Sequence, residues 1–343
     1  MVKYIGSKRV LVPRIVAAIS AFPGARTVLD LFSGTSRVGH ALKRAGFRVL
    51  ANDHNAYAHT LARCYVQADR RRVWEEGQRL IRELAALPPK PGYFTETFCV
   101  RARFFHPRNG ARIDAIREAI ARGSFEPDLE AVLLTALMEA ADRVDSTTGV
   151  QMAYLKAWAP RALHDLELRM PEILPGEGKA FCLDAFDAAR AFEADVAYLD
   201  PPYNQHSYLG NYHVWETLVR WDKPEAYGVA CKRVGCKTYH SDFNSRRRIH
   251  AALGSLVDAV RAPHLVVSFN DEGYVSRAQM EALLSRRGHV EVVEVDFPRY
   301  VGARIGIFNP SGIKVGTVGR LRNKERLFIV SEERARARAA AGR

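Results

Sequence analysis

The 343-residue chain lacks any apolar run approaching the roughly 20 residues that a membrane-spanning helix requires. It also lacks a basic amphipathic segment that would lie along a bilayer, so no membrane role is expected. Cysteine is sparse: five residues (Cys64, Cys99, Cys182, Cys231 and Cys236), odd in number and scattered. That excludes a disulfide framework and fits reduced thiols in a cytoplasmic protein. Cys231, Cys236 and His240 make one irregular pair with a neighbour and no second half, so no metal is expected. Lys3, Lys8 and Arg9 precede Val10-Leu11-Val12 in the manner of a secretion signal, but Pro13 and Arg14 interrupt the apolar run. No Gly-x-Gly-x-x-Gly turn and no phosphate-binding Gly-Lys-Ser/Thr occurs, which excludes the usual ways of holding a pyrophosphate.

Positive charge is what the chain has in excess. Lys and Arg number 51 against 38 Asp and Glu, for a net +13. Such a balance favours a polyanion, and without membrane features the polyanion is nucleic acid. A monomer is expected, although no feature of the sequence gives the oligomeric state.

The pattern of elements is α/β. Val28 to Phe32 is a short apolar strand that runs into Ser33-Gly34-Thr35, and Val38, Ala41, Leu42 and Ala45 then recur at helical spacing up to Gly46. Arg48 to Asp53 is a second strand with a terminal acid. Further strands are expected at 179–183, 195–199, 264–268, 290–297 and 326–330. Together they predict a doubly wound, Rossmann-like α/β sheet. Between Asp53 and Lys179 the period is helical, most clearly over 74–87 and 129–141. That stretch is too long for one crossover. The expected organisation is a catalytic domain of residues 1–56 and 176–331, a helical insertion of 57–175, and a basic tail of 332–343.

Three strand ends carry candidate ligand groups, where open α/β sheets bind their ligands. The turn Phe32-Ser33-Gly34-Thr35 allows close backbone approach at a helix amino terminus. Asp53, about 20 residues on, is where a carboxylate takes two ribose hydroxyls. Asp184 could accept from an adenine amine while Phe186 packs on the ring. A nucleoside without phosphates fits these groups, and S-adenosylmethionine is the obvious one. The fourth strand end is Asp200-Pro201-Pro202-Tyr203, following Val196 to Leu199. Proline fixes its own φ and restricts its predecessor, so Asp200 and the Pro201 carbonyl are held in one geometry beside an aromatic ring. This suits a flat ring with an exocyclic amine.

With these pieces placed, the chain resembles the Dam-like, alpha-group DNA adenine-N6 methyltransferases, in the family's motif order over most of residues 1 to 330. Lys3-Tyr4-Ile5-Gly6-Ser7-Lys8-Arg9 is similar to the amino-terminal motif, which implies cofactor roles for Tyr4 and Lys8. Asp30-Leu31-Phe32-Ser33-Gly34-Thr35 is similar to the first cofactor motif, although Leu31 and Ser36 stand where many relatives have Pro and a second Gly. The stretches Asn204 to Thr217, Arg103-Phe104-Phe105, Ile113 to Arg117 and Val267 to Gly273 resemble a subgroup that accompanies restriction systems, which implies a companion endonuclease.

The resemblance implies that Asp200 and the Pro201 carbonyl hold the adenine amine, with Tyr203 against the base. It puts target recognition in the insertion, where Arg101, Arg103, Arg108 and Arg112 lie among Phe98, Phe104, Phe105 and His106. Solvated arginines over a Phe core would give the same pattern. Tyr208, Asn211 and Tyr212 are expected in a loop ordering around an extruded base or the cofactor. Arg304 and Lys314, in a basic glycine-rich segment of 299–326, suit double-stranded DNA phosphates, and a solvated loop would have the same composition. No cysteine follows a proline, which argues against cytosine-carbon chemistry. Cytosine-N4 transfer, a ribosomal RNA base methyltransferase and a non-catalytic DNA-binding remnant stay open on the residues alone.

Overall fold

The structure is a computed structural model that describes residues 1–298, 307–308, 314–316 and 322–332. Eleven strands occur among them: β1 (Thr27–Asp30), β2 (Arg48–Asn52), β3 (Gly178–Phe181), β4 (Val196–Leu199), β5 (Ala226–Tyr227), β6 (Lys232–Arg233), β7 (His264–Asn270), β8 (His289–Pro298), β9 (Ile307–Phe308), β10 (Lys314–Gly316) and β11 (Arg322–Ser331). Seven belong to one mostly parallel sheet, while β5–β6 and β9–β10 form separate two-stranded pairs. The architecture is the expected Rossmann-like α/β class. The chain divides into two compact units: Met1–Arg9, Ser33–Asp184 and Ser207–His240 in the first, the remaining segments in the second.

In the second unit the sheet strands run in the order β1-β4-β7-β11-β8. β1, β4 and β7 are parallel, with Asp30 opposite Tyr198 and Leu199 opposite Val267. All four residues of β4 are buried, the continuous apolar run of a strand covered on both faces. Asp195 sets where this pairing begins, its carboxylate accepting from the Arg26 and Thr27 amides at 2.8 Å each. β11 closes the sheet antiparallel to both β7 and β8. Helices Val12–Ser20, Ile249–Ala259 and Arg277–Leu284 bury their apolar faces, the last starting at a capping box of Ser276 and Gln279.

The first unit holds β2 and β3, parallel from Val49↔Gly178 to Asn52↔Phe181, and most of the helices. The expected helix over 74–87 is Arg70–Ala85, started by an Asp69 cap and stopped before the Pro-rich break. The one over 129–141 is Pro127–Arg143, with Pro in its first turn and a Glu126 cap. Two π turns, Arg63–Gln67 and Glu96–Arg101, were not legible from periodicity. The core of this unit is aromatic, with Tyr57, Tyr65, Phe94, Phe98, Phe104 and Phe105 all at most 2% exposed. Trp215, from the helix His213–Arg220 beyond the tetrapeptide, belongs to the same core.

One buried carboxylate ties the Pro-rich break to the helix Pro107–Arg122. Asp114 accepts from the amides of Gly92, Phe94 and Thr95 at 2.9, 2.9 and 2.7 Å, and from the Thr95 hydroxyl at 2.6 Å. Removing it would leave the buried amides of Phe94 and Thr95 without their acceptor. Asp114→Ala is therefore expected to cost about 3 kcal/mol or more of stability, read by urea unfolding. A change below about 1 kcal/mol would contradict this role.

Candidate active site

In the first unit, the turn after β1 is held by main chain. The Ser33 amide donates to the Asn52 carbonyl at 2.9 Å, and the Ser36 amide to the Ser33 carbonyl at 2.6 Å. Gly34 adopts φ +51°, a left-handed conformation that a side chain strains, and its amide donates to Asp53 Oδ2 at 2.9 Å. Asp53 Oδ1 accepts from the Asn55 amide at 2.9 Å and from Asn55 Nδ2 at 3.0 Å. Burial pushes the Asp53 carboxyl up, and these three donors only partly offset it. Thr35 is buried beside them.

Four tyrosines gather on this turn. A Cβ on Gly34 would stand 3.3 Å from Cε1 of Tyr4, so the ring lies directly over the glycine. Tyr4 stacks on Tyr208 at 5.2 Å and on Tyr212 at 4.5 Å between centroids, and its hydroxyl lies 3.1 Å from that of Tyr57. The Tyr212 hydroxyl accepts from the Ile5 amide at 2.6 Å. Burial raises the Tyr4 phenol well above its ordinary value, so it stays neutral. Lys3 anchors the segment with its ammonium on the Asp142 carbonyl (2.6 Å) and Asp145 (2.7 Å). Lys8 is buried. The structure thus joins residues read as cofactor-facing (Tyr4, Gly34, Asp53) to Tyr208 and Tyr212, expected around the extruded base or the cofactor. Tyr212 and Asn211 are themselves buried, at 1% and 4% exposure.

Beside Asp53, His54 stacks on Tyr239 at 4.7 Å, and the two line a cavity of about 200 Å³ with Glu216, Arg220 and Arg233. Asp184 is exposed, and Asn52 fixes the backbone before it by donating to the Leu183 carbonyl (3.2 Å) and accepting from the Leu183 amide (3.1 Å). The arginines expected to meet DNA make contacts within the unit. Arg103 donates to the Lys156 carbonyl at 2.5 Å and lies over Trp158, and Arg108 pairs with Asp165 and the Leu163 carbonyl. Arg112 caps the end of the helix Arg70–Ala85 through the Ala85 and Leu87 carbonyls. Arg101 is exposed, with one 3.4 Å bond to the Ala226 carbonyl.

In the second unit, Asp30 ends β1 fully buried, and Asp200-Pro201-Pro202-Tyr203 leaves the carboxyl end of β4. The Tyr203 hydroxyl accepts from Asn270 Nδ2 at 2.8 Å, its ring packs on Phe269 at 5.3 Å, and its carbonyl accepts from the Tyr274 amide at 2.9 Å. The next turn is held by Asn244, whose Nδ2 donates to the Asn204 and His206 carbonyls at 2.7 and 3.1 Å. Phe243 joins two expected residues, meeting Phe32 edge-on at 5.5 Å and stacking with Phe186 at 5.9 Å. Arg304 lies outside the described residues. Lys314 opens β10, which pairs antiparallel with β9.

A family model of D12 class N6 adenine-specific DNA methyltransferases matches residues 4–277. The chain belongs to this family. It is 29% identical to the type II methyltransferase M.NlaIII of Neisseria lactamica, over 87% of this chain and 92% of that protein. The type II methyltransferase M.CviAII of Paramecium bursaria Chlorella virus 1 is 30% identical over 87% and 92%. M.FokI of Planomicrobium okeanokoites is also 30% identical, and there the match spans 85% of this chain but 48% of the relative. This methyltransferase transfers a methyl group from S-adenosylmethionine to adenine N6 in DNA. Cytosine-N4 and ribosomal RNA chemistry lie outside that class.

The residues present fit the cofactor. The hydroxyls of Ser33 and Ser36 are buried without a hydrogen-bond partner among the described residues, beside the Gly34 turn and the Asp53 carboxylate. A ligand carrying hydroxyls and a carboxylate satisfies such a lining. Sequence reasoning missed Tyr57, Phe243, Asn244 and the partnership of Asn270 with Tyr203. Asn270 lay within a quoted motif, while the others carried no spacing signal.

A raised carboxyl is a stability cost in its ionised form: the fold loses stability as pH rises through the folded pKa of Asp53 and regains it below. The role expected of Asp53, accepting from two ribose hydroxyls, calls for the ionised form. Cofactor affinity, measured by calorimetry, is therefore expected to fall on acidification from above the usual carboxylate range. Asp53→Asn should bind roughly tenfold or more weakly at pH 7 and lose that dependence. Unchanged affinity at pH 7 would contradict the assignment.

Proposed function

We propose that the enzyme is the modification partner of a restriction system, methylating one adenine within a defined duplex sequence. The family membership and the type II relatives support this. The observation that carries the residue roles is the Asp-Pro-Pro-Tyr turn at the end of the buried strand β4, pinned by Asn270, Asn244 and Tyr274.

The adenine amine is a poor nucleophile because its lone pair is delocalised into the ring. Asp200 and the Pro201 carbonyl accept its two N–H bonds, favouring a pyramidal nitrogen with a localised lone pair. S-adenosylmethionine, when bound, supplies an electrophilic sulfonium methyl. Catalysis by this chain is then largely positioning and electrostatics. Pro202 stiffens the turn, and Tyr203, fixed at its hydroxyl and against Phe269, offers the base a surface that need not be ordered on binding. Tyr4, Lys8, Ser33, Gly34, Thr35, Asp53 and Asp184, with Asp30, Phe32 and Phe186, serve the cofactor. The target base leaves the duplex at a cost of a few kcal/mol, offset by stacking and hydrogen bonds.

Residues 57–175 form the recognition part in this reading. Arg101 and Arg108 are the exposed phosphate contacts. Arg103 and Arg112 shape the surface through the carbonyls they bind. Tyr208 faces the base loop, and Asn211 and Tyr212 support it from below. Lys314 and Arg304 add further basic contacts. The excess of positive charge supports a monomer meeting its duplex alone in the cytoplasm, with a companion endonuclease reading the same sequence.

Asp200→Ala should lower methyl transfer about a hundredfold to a thousandfold or more while cofactor affinity stays within a few-fold. Single-turnover transfer of tritiated methyl and equilibrium cofactor binding separate the two. Wild-type-like transfer would refute the role of Asp200.

A further inference from the structure

The β5–β6 hairpin presents an apolar side chain to solvent on a stiff support. Ala226 pairs with Arg233 and Tyr227 with Lys232, joined by Gly228-Val229-Ala230-Cys231. Val229 is 77% exposed, the highest value among the exposed large apolar residues described. Exposure of this kind costs little in a loose loop, but this loop is not loose. Gly228 and Cys231 both take positive φ, +67° and +47°, and the Cys231 amide donates to the Gly228 carbonyl at 3.0 Å. Cys231 is 2% exposed and seated in the aromatic core of the first unit. Arg233 pairs with both oxygens of Asp222 at 3.1 and 2.6 Å. The Lys237 ammonium lies 4.2 Å over the Tyr227 ring, and the Tyr93 hydroxyl donates to the Pro224 carbonyl at 2.6 Å. An apolar tip is thus held out on a backbone that folding has already ordered.

The surroundings of the tip are basic. Arg101 reaches the Ala226 carbonyl at the base of the hairpin, and Lys232 and Lys237 flank it. The hairpin also adjoins the segment that follows the tetrapeptide. A Cβ on Gly210, in the turn Tyr208–Asn211, would stand 3.9 Å from the Lys232 ammonium, and the Cys236 thiol approaches the Leu209 carbonyl at 3.9 Å.

We propose that Val229 is a wedge that enters the DNA stack where the target adenine leaves it, with Arg101, Lys232 and Lys237 on the flanking phosphates. The inference rests on the reading of this chain as a methyltransferase that extrudes its target base. An apolar side chain inserted at a base step offsets part of the unstacking cost, and a preordered hairpin adds no ordering cost of its own. Arg and Lys around an apolar tip suit a polyanion and disfavour an apolar protein partner. Val229 is a positioning residue: it touches neither the reacting nitrogen nor the cofactor.

The test uses the full chain and two duplexes carrying the site found by methylation mapping. In one the target adenine is paired. In the other it stands opposite an abasic position, where extrusion is already cheap. Val229→Ser, at an exposed tip, is expected to lower kcat/KM about tenfold on the paired duplex and less than about threefold on the abasic one. With 2-aminopurine at the target position, the fluorescence rise on binding should shrink for Val229→Ser and return for Val229→Leu. Equal loss on both duplexes would mean a merely structural role, and no loss on either would mean that Val229 does not enter DNA; both overturn the wedge. If wild-type protein methylates neither duplex, the underlying reading fails instead.

Discussion

The hydrogen bond from the Gly34 amide to the Asp53 carboxylate is the constraint on which the first unit's ligand-facing surface depends. It requires a positive φ at Gly34 and a carboxylate buried enough that ionisation is disfavoured. It also leaves a bare glycine on which the Tyr4 ring can lie. Through Tyr4 the same glycine meets Tyr208 and Tyr212, which come from the segment after the Asp-Pro-Pro-Tyr tetrapeptide. The Gly34 turn and the segment 208–212, far apart in sequence, therefore share one set of stacked rings. Anything that displaces Tyr4 disturbs both.

The tetrapeptide follows a different logic. β4 is buried on both faces, so its end is fixed by the sheet, and the prolines leave the turn little freedom. Tyr203 is then locked from the neighbouring strand by Asn270 and Phe269. Gly273 cannot be larger, since a Cβ there would stand 2.3 Å from the Phe269 ring. Rigidity at this strand end is what an enzyme needs when its contribution is to hold a weak nucleophile in one orientation.

Much of this was legible in the sequence. All seven sheet strands were read from short apolar runs, four of which lead to an acid (Asp53, Asp184, Asp200 and Asp271) as buried parallel strands do here, while β8 and β11, which pair antiparallel, were read as a closing pair. Asp53 and the Gly34 turn were found by spacing, and the geometry joins them directly. Less legible were features decided by tertiary contact. The π turns at Arg63–Gln67 and Glu96–Arg101 do not differ in period from helix, and no local pattern announces that Phe243 joins Phe32 and Phe186. The arginine-and-phenylalanine segment is a mixed case. Its phenylalanines are core and Arg101 and Arg108 are exposed, as solvated arginines over a Phe core would predict, while Arg103 and Arg112 bond to carbonyls, which that reading did not foresee.

The account stands on one chemical outcome, the position at which the methyl group arrives. Duplex DNA incubated with this protein and isotope-labelled S-adenosylmethionine, then digested to nucleosides and resolved by mass spectrometry, reads that position directly. Labelled N6-methyldeoxyadenosine as the sole methylated product is the predicted result. Labelled N4-methyldeoxycytidine, or label that enters ribosomal RNA and not DNA, would contradict it.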